Sequence, residues 1–201
     1  EVFTGAGDLM LLARRGSASR KGDSGRILVI GGGPYTGAPA LSAMAALRAG
    51  ADIVTVAAPM TAARTISTFS PNIIVQELSA DHLCPADMPI LAGQMARHDV
   101  VVMGMGLGRH PETISALGEI LALCKSSGKN TVIDADALQP GLPLHGIVTP
   151  HAGEFQRISG ISLADKGYRE RAGPVREYAR QRGVVVLLKG RIDLISDGAA
   201  L

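Results

Sequence analysis

The sequence predicts an α/β domain: three αβα layers around a mostly parallel sheet. Three observations carry this. Short Val/Ile-rich runs recur between stretches of helical periodicity. The hydrophobic share, 46% of 201 residues, is aliphatic and alanine, with aromatics at only 3%, as when alanine-rich helices lie on a Val/Ile/Leu sheet. Glycines also follow strand-like runs and open helix-like ones, the layout of strand–turn–helix units.

Taken in order, the predicted strands are 26–30, 53–57, 73–77, 99–103, 131–133, 146–149 and 184–189. The continuous apolarity of "VVVLL" in the last predicts cover on both faces. A helix over 38–49 carries Leu41, Met44, Ala45 and Leu47 at helical spacing and stops at Gly50, suited to the left-handed turn after a helix. The spacing predicts a second over 111–126, with Pro111 at the first helical position and Gly128 past the end. A third, 174–182, starts at Pro174 and closes at Gly183. "KGRIDLISDG" reads as a strand end, a turn and a short strand, an antiparallel edge. Leu201 follows "SDGAA" without a closing helix, so the domain is expected to continue beyond it.

Composition narrows the function. The net charge of +2 comes from mixed signs along the whole chain, which supplies no field for nucleic acid or membrane and favours small molecules as partners. Arg14, Arg15, Arg20, Lys21 and Arg26 lie among glycines and serines and read as solvated. Residues 1–25 are therefore expected to be a linker and N-terminal arm, and 26–201 the domain. Cys84 and Cys124 have neither C-x-x-C spacing nor a disulfide framework, which predicts reduced thiols and a cytoplasmic setting. "LMLLA" is too short for a signal-peptide core, and no run approaches the roughly 18 apolar residues of a membrane span.

"GRILVIGGGPYTGAPALSAM" presents a glycine-rich turn between a strand and a helix. A dinucleotide fingerprint from Gly31 finds Gly33, then Thr36 where the last glycine belongs. Asp52 precedes "IVTV" instead of ending the second strand, where a ribose-binding acid would stand. A P-loop needs Lys and Ser or Thr after Gly37, where Ala38 and Pro39 stand. What survives is physical: glycines admit a close ligand, and the helix start near Ala38 aims N–H groups and partial positive charge at it.

The other strand ends carry matching chemistry. Gly104, Gly106 and Gly108 end one run, Asp134 and Asp136 another, Thr149 and His151 a third, and Lys189 and Gly190 a fourth. In α/β sheets these ends face one cleft. Each residue also has a plainer role open to it: a turn cap for Asp134 or Asp136, a satisfied turn histidine for His151, a solvated strand end for Lys189. His82, His98, His110 and His145 lack ligand spacing to each other or to cysteine, so no structural metal is expected.

Taken together, "KGDSGRILVIGG", "YTGAPALSAMAALRAGADIVTVAAP", "GMGLG", "VIDADAL", "VTPHAGEF" and "LLKGRIDLISDG" resemble the ADP-dependent NAD(P)HX dehydratase family from about Gly7 to Gly198. The resemblance implies a ribokinase-like fold and a carbon–oxygen lyase. Hydrated NADH or NADPH is dehydrated as ADP, or ATP in its place, is split, with Mg2+ accompanying the nucleotide. It implies that Ala38, Gly106 and His151 contact the hydrated nicotinamide nucleotide. Lys189, Gly190, Arg191, Ile192 and Asp193 are implied to hold the AMP part of the second nucleotide. "GAGDLMLL" resembles the junction that follows an epimerase domain in archaeal two-domain members, so such a domain is an expected partner; a homo-oligomer is expected separately. Two departures stand out. Arg20 occupies a position where relatives often have histidine, and the family's "GGTGD", with the expected catalytic aspartate, does not occur in these 201 residues and would lie beyond Leu201. The competing readings are a small-molecule kinase of the same fold and a catalytically silent nucleotide-binding module.

Overall fold

The computed structural model describes residues 4–11 and 16–200. Eight strands form one sheet: β1 Arg26–Ile30, β2 Ile53–Ala58, β3 Ile74–Glu77, β4 Val100–Met103, β5 Asn130–Ile133, β6 Gly146–Val148, β7 Val184–Leu188 and β8 Leu194–Ser196. Their order is β3-β2-β1-β4-β5-β6-β7-β8. The seven predicted strands are all present within a residue or so of the expected bounds. Every neighbouring pair is parallel except β7 and β8, which meet antiparallel with Leu187 opposite Ile195. The expected antiparallel edge is therefore present.

Six α-helices connect these strands: α1 Gly37–Arg48, α2 Met60–Ile66, α3 Met88–Arg97, α4 Pro111–Ser126, α5 Ala152–Ser159 and α6 Tyr168–Arg182. Because side chains alternate across a strand, β1 feeds two cores. Leu28 and Ile30 join Leu117, Ile120, Phe155 and Tyr178 on one face, while Val29 joins Ala40, Ala43, Ala62 and Ile66 on the other. Helices α3 to α6 thus cover the first face and α1 and α2 the second, the three expected layers. Cover on the second face is uneven. In β7 burial alternates, with Val185 and Leu187 only half-buried, and Ile147 on β6 is exposed. The expectation that "VVVLL" is covered on both faces is corrected accordingly.

Helix α4 follows its sequence signals to the residue. Pro111 opens it where no N–H is needed, Glu112 complements the positive first turn, and Ala116, Leu117, Ile120, Leu121 and Cys124 form its buried stripe. Burial pushes the Cys124 thiol up to about 11, so its reactive thiolate is scarce at neutral pH. Helix α6 departs from expectation: it begins at Tyr168, with Pro174 inside it. Glu170 accepts the Gly167 amide at 2.9 Å, half of a capping box one turn before the proline. That cap and the burial of Val175, Tyr178 and Ala179 outweigh the backbone bond that Pro174 removes.

In the expected N-terminal arm, Ala6–Leu11 forms a 3-10 helix. Arg14 and Arg15 lie outside the described residues. No helix among the described residues is long and apolar enough to cross a membrane.

Candidate functional site

The sheet changes direction at β1. Chain order runs outward through β2 and β3, then restarts at β4 on β1's other side, so the carboxyl ends of β1 and β4 open the crevice where α/β sheets bind ligands. Glycine backbone lines both walls. The Gly32 amide donates to the Met105 carbonyl at 2.9 Å and Gly104 donates to Ile30 at 3.2 Å. A Cβ on Gly31 would stand 2.7 Å from the Met105 oxygen, and one on Gly106 would run into the Tyr35 carbonyl. Only glycine lets these two turns touch. Ala38 is exposed in the first turn of α1, which Thr36 does not cap with its side chain. The amides there remain directed at the crevice mouth.

Farther along the same edge, charged side chains from the segments that follow β5, β6 and β7 meet. Lys189 Nζ lies 2.6 Å from Asp134 Oδ1 and 3.7 Å from Glu154 Oε2. Glu154 Oε2 also accepts the His151 backbone N–H at 2.8 Å, and its Oε1 is 3.4 Å from His151 Nε2. His151 caps α5: Nδ1 accepts the amides of Gly153 and Glu154 at 3.0 and 3.2 Å. With Nδ1 an acceptor, the neutral ring carries its proton on Nε2, on a side chain 60% exposed. A ligand at this edge therefore meets an N–H donor. A parallel bridge between His151 and Lys189, with the Lys189 amide donating to Pro150 at 2.8 Å, locks the two strand ends in register.

Asp134 and Asp136 divide the work of joining the two regions. Asp134 reaches Lys189 and makes no side-chain cap on the 3-10 turn that follows it. Asp136 accepts the Gly108 amide at 3.0 Å and lies 3.4 Å from Arg109 Nε, tying the β4 turn to the β5 turn. Between them Ala135 has φ +50°, a left-handed conformation unfavourable for a residue with a Cβ. Arg157 of α5 holds that turn by donating to the carbonyls of Ala135 and Leu138 at 3.0 and 2.8 Å.

The predicted residues thus fall along one edge in two groups. Gly106 and the turn leading to Ala38 form the first; His151 and Lys189 form the second, bridged to the first through Asp134 and Asp136. Strands β1 and β7 are four positions apart, roughly 19 Å at the usual strand spacing. Gly190, Arg191, Ile192 and Asp193 make the turn beyond Lys189, where Asp193 Oδ1 accepts the Gly190 amide at 2.8 Å and Arg191, Ile192 and Asp193 are exposed. Arg20 and Lys21 belong to the opposite edge: the adjoining turn donates from Gly22 and Ser24 to Asp52, just before β2. The departure at Arg20 is thereby removed from this site, and Asp52 is an anchor for that turn. A cavity of about 200 Å³ among Lys125, Gln139, Leu144, Tyr178 and Arg182 contains none of the predicted site residues.

Sequence reasoning missed Glu154. Its signal was the H-x-x-E spacing of a capping box, but its approach to Lys189 depends on strand order. The other histidines stand apart from this edge. His98 is a satisfied core residue, bonded to the Gln94 carbonyl at 2.6 Å and Thr55 Oγ1 at 2.9 Å. His82 and His110, far apart in sequence, are instead brought together with Glu112 into a group able to hold a metal ion.

A family model described as NAD(P)H-hydrate dehydratase matches residues 27–200. The chain is 40% identical over 201 residues to a bifunctional NAD(P)H-hydrate repair enzyme Nnr of Archaeoglobus fulgidus, covering 99% of this chain and 40% of that protein. It is 40% identical over 195 residues to an ADP-dependent (S)-NAD(P)H-hydrate dehydratase of Nitrosopumilus maritimus, covering 92% of this chain and 66% of that protein. Among solved structures, an ADP/ATP-dependent NAD(P)H-hydrate dehydratase of Bacillus subtilis, co-crystallised with ATP and Mg2+, superposes with a TM-score of 0.75. It is 23% identical, and the match covers 94% of this chain and 66% of that one. A ribokinase-like superfamily protein of Enterococcus faecalis gives a TM-score of 0.74 at 23% identity, over 91% of this chain and 63% of that one. The expected ribokinase-like fold is present.

Proposed function

The chain belongs to the NAD(P)H-hydrate dehydratase family, and from that premise we propose that it carries the nucleotide-binding edge of an enzyme that dehydrates hydrated NADH or NADPH with cleavage of ADP. The chain spans 40% of the length of the bifunctional relatives it matches. For the whole protein we propose a second activity, epimerisation of the same hydrated cofactor, outside this segment.

In this reading the hydroxyl oxygen of the hydrated nicotinamide ring attacks the β-phosphorus of ADP and gives up its proton, and AMP departs. Phosphate then leaves with the C–O bond electrons while a ring proton is lost, so ADP and the hydrate yield AMP, phosphate and NAD(P)H. Hydroxide is a poor leaving group and phosphate a good one. The supporting observation is the ion-paired group at the strand ends: Glu154 holds the His151 backbone and lies beside Lys189, itself paired with Asp134.

The crevice glycines and the start of α1 at Ala38 would take the nicotinamide nucleotide beside Gly106, with the Nε2 proton of His151 donating to it. Lys189 and the turn through Asp193 would face the AMP part. Positioning and the stabilisation of phosphate charge are what phosphoryl transfer demands of a protein. Mg2+ is a hard cation that keeps waters and phosphate oxygens. Asp134, Asp136 and Asp193 are each committed to a protein partner, so the residues present fit an ion carried in on the phosphates.

The test is turnover. The protein is incubated with ADP and hydrated NADH while NADH, AMP and phosphate are followed separately. Equal appearance of all three supports the reading. A phosphorylated product without released phosphate would make it a kinase, and ADP binding without turnover by a protein that includes the "GGTGD" segment would make it a silent nucleotide-binding module.

A further inference from the structure

We propose that His82, His110 and Glu112 form a binding site for a divalent transition-metal ion of the zinc class. His82 Nε2 lies 2.6 Å from Glu112 Oε2, and His110 Nδ1 lies 3.9 Å from the same oxygen. One ligand atom from each of the three residues falls within 4.8 Å of the others. A tetrahedral ion with bonds of about 2.0–2.1 Å separates its ligands by roughly 3.4 Å, between the two distances observed. Small side-chain rotations would therefore close the set. An ion pair between His82 and Glu112 accounts for two of the three residues. His110 caps α4, and its ring also packs against His82 at 4.0 Å between centroids.

The site is held by groups that are not ligands. The segment around His82 is held at three points: Met60 donates to the Ala80 carbonyl at 2.9 Å, Thr61 Oγ1 to the Asp81 carboxylate at 2.6 Å, and Thr113 Oγ1 to the Leu83 carbonyl at 2.9 Å. Thr113 is fully buried, so the α4 start and the His82 segment move together. Such supporting contacts orient ligands before the ion arrives. The three side chains remain 32%, 51% and 58% exposed, leaving an entry path and room for water in the fourth position.

Two imidazoles and one carboxylate suit zinc, copper, nickel or cobalt, whereas magnesium and calcium prefer all-oxygen sites. Two effects oppose binding. His110 Nδ1 already accepts the Glu112 amide at 3.3 Å, and the amino end of a helix repels a cation. The Glu112 charge offsets the second, and the first concerns a long, weak bond. An ion here would clamp the segment after β3 to the turn that carries Arg109, whose guanidinium faces Asp136 at the candidate nucleotide edge.

The experiment is calorimetry of chelator-stripped protein with Zn2+, and with Mg2+ as control. The expected result is one tight Zn2+ per chain and no comparable Mg2+ binding. His82→Asn and Glu112→Gln should each weaken Zn2+ by about tenfold or more, with metal-free melting temperatures unchanged for His82→Asn. In the unsubstituted protein, Co2+ should broaden the ring resonances of His82 and His110 before those of His98, His145 and His151. Zn2+ affinity unaltered in both variants, or Co2+ broadening centred on other histidines, overturns the proposal, as does the absence of tight Zn2+ binding.

Discussion

The two nitrogens of His151 differ: Nδ1 caps α5, while Nε2 lies 3.4 Å from Glu154 Oε1 and, in the proposed function, donates to the nucleotide. Removing the ring confounds them, so two substitutions are needed. His151→Ala should lower stability by about 0.5–2 kcal/mol through the lost cap. It should also weaken the nicotinamide nucleotide by about 1.5–3 kcal/mol if the lost bond is to a charged group. His151→Asn keeps a capping side chain, so chemical denaturation should find it near the parent while nucleotide titration shows the same loss. Parent-like nucleotide affinity in both variants would leave His151 a cap only. His151, Lys189 and Asp134 drew attention because each ends a strand-like run, and the fold brings the three strand ends together. Glu154 was passed over because its local signal is only a capping box, and its approach to Lys189 at 3.7 Å depends on strand order.

Strands were legible nearly to the residue because each is a Val/Ile run bounded by turn formers. Helices were less so: α2 is only seven residues behind Pro59, and α3 carries Pro89 and Gly93, which blur a short periodic pattern. The turns between elements carry the firmest energetic expectations. Gly104 has φ +120° and its added Cβ would collide with the Asp134 carbonyl, whereas Gly128 has φ +65° with open space around it. Gly104→Ala should therefore cost about 3 kcal/mol or more, and Gly128→Ala about 1–2 kcal/mol for its backbone conformation alone. Denaturant midpoints measure both, and equal losses would contradict the close contact. On α6, hydrogen bonds from Arg180 and Gln181 hold the Glu177 carboxyl at about 2, below its ordinary 4.5. A depressed carboxylate stabilises the fold above its unfolded value and stops doing so as pH falls through the folded one. The melting-temperature difference between parent and Glu177→Gln should accordingly shrink from about pH 4.5 to about pH 2. The group is fully exposed, so the difference is small and salt-sensitive. A constant difference would show that Glu177 acts by other means.

For the molecule as a whole, the layers were legible in composition, but the sheet order was not. Nothing local in the chain says that β4 returns to pair with β1, and that return is what faces "GGGP" toward "GMGLG" and makes a crevice of two turns. A second non-local contact, Thr113 on the Leu83 carbonyl, brings the His82 segment to His110 and Glu112. What holds the account together is that one edge of the sheet seats two nucleotides next to each other, one over the crevice and one over Lys189. A crystal structure of the protein with NADPH and AMP measures this directly. The account predicts the nicotinamide ring beside Gly106 and the Nε2 of His151, and AMP against Lys189 and the turn through Asp193. Nucleotides bound at the opposite edge, or one nucleotide spanning both groups and excluding the other, would contradict it.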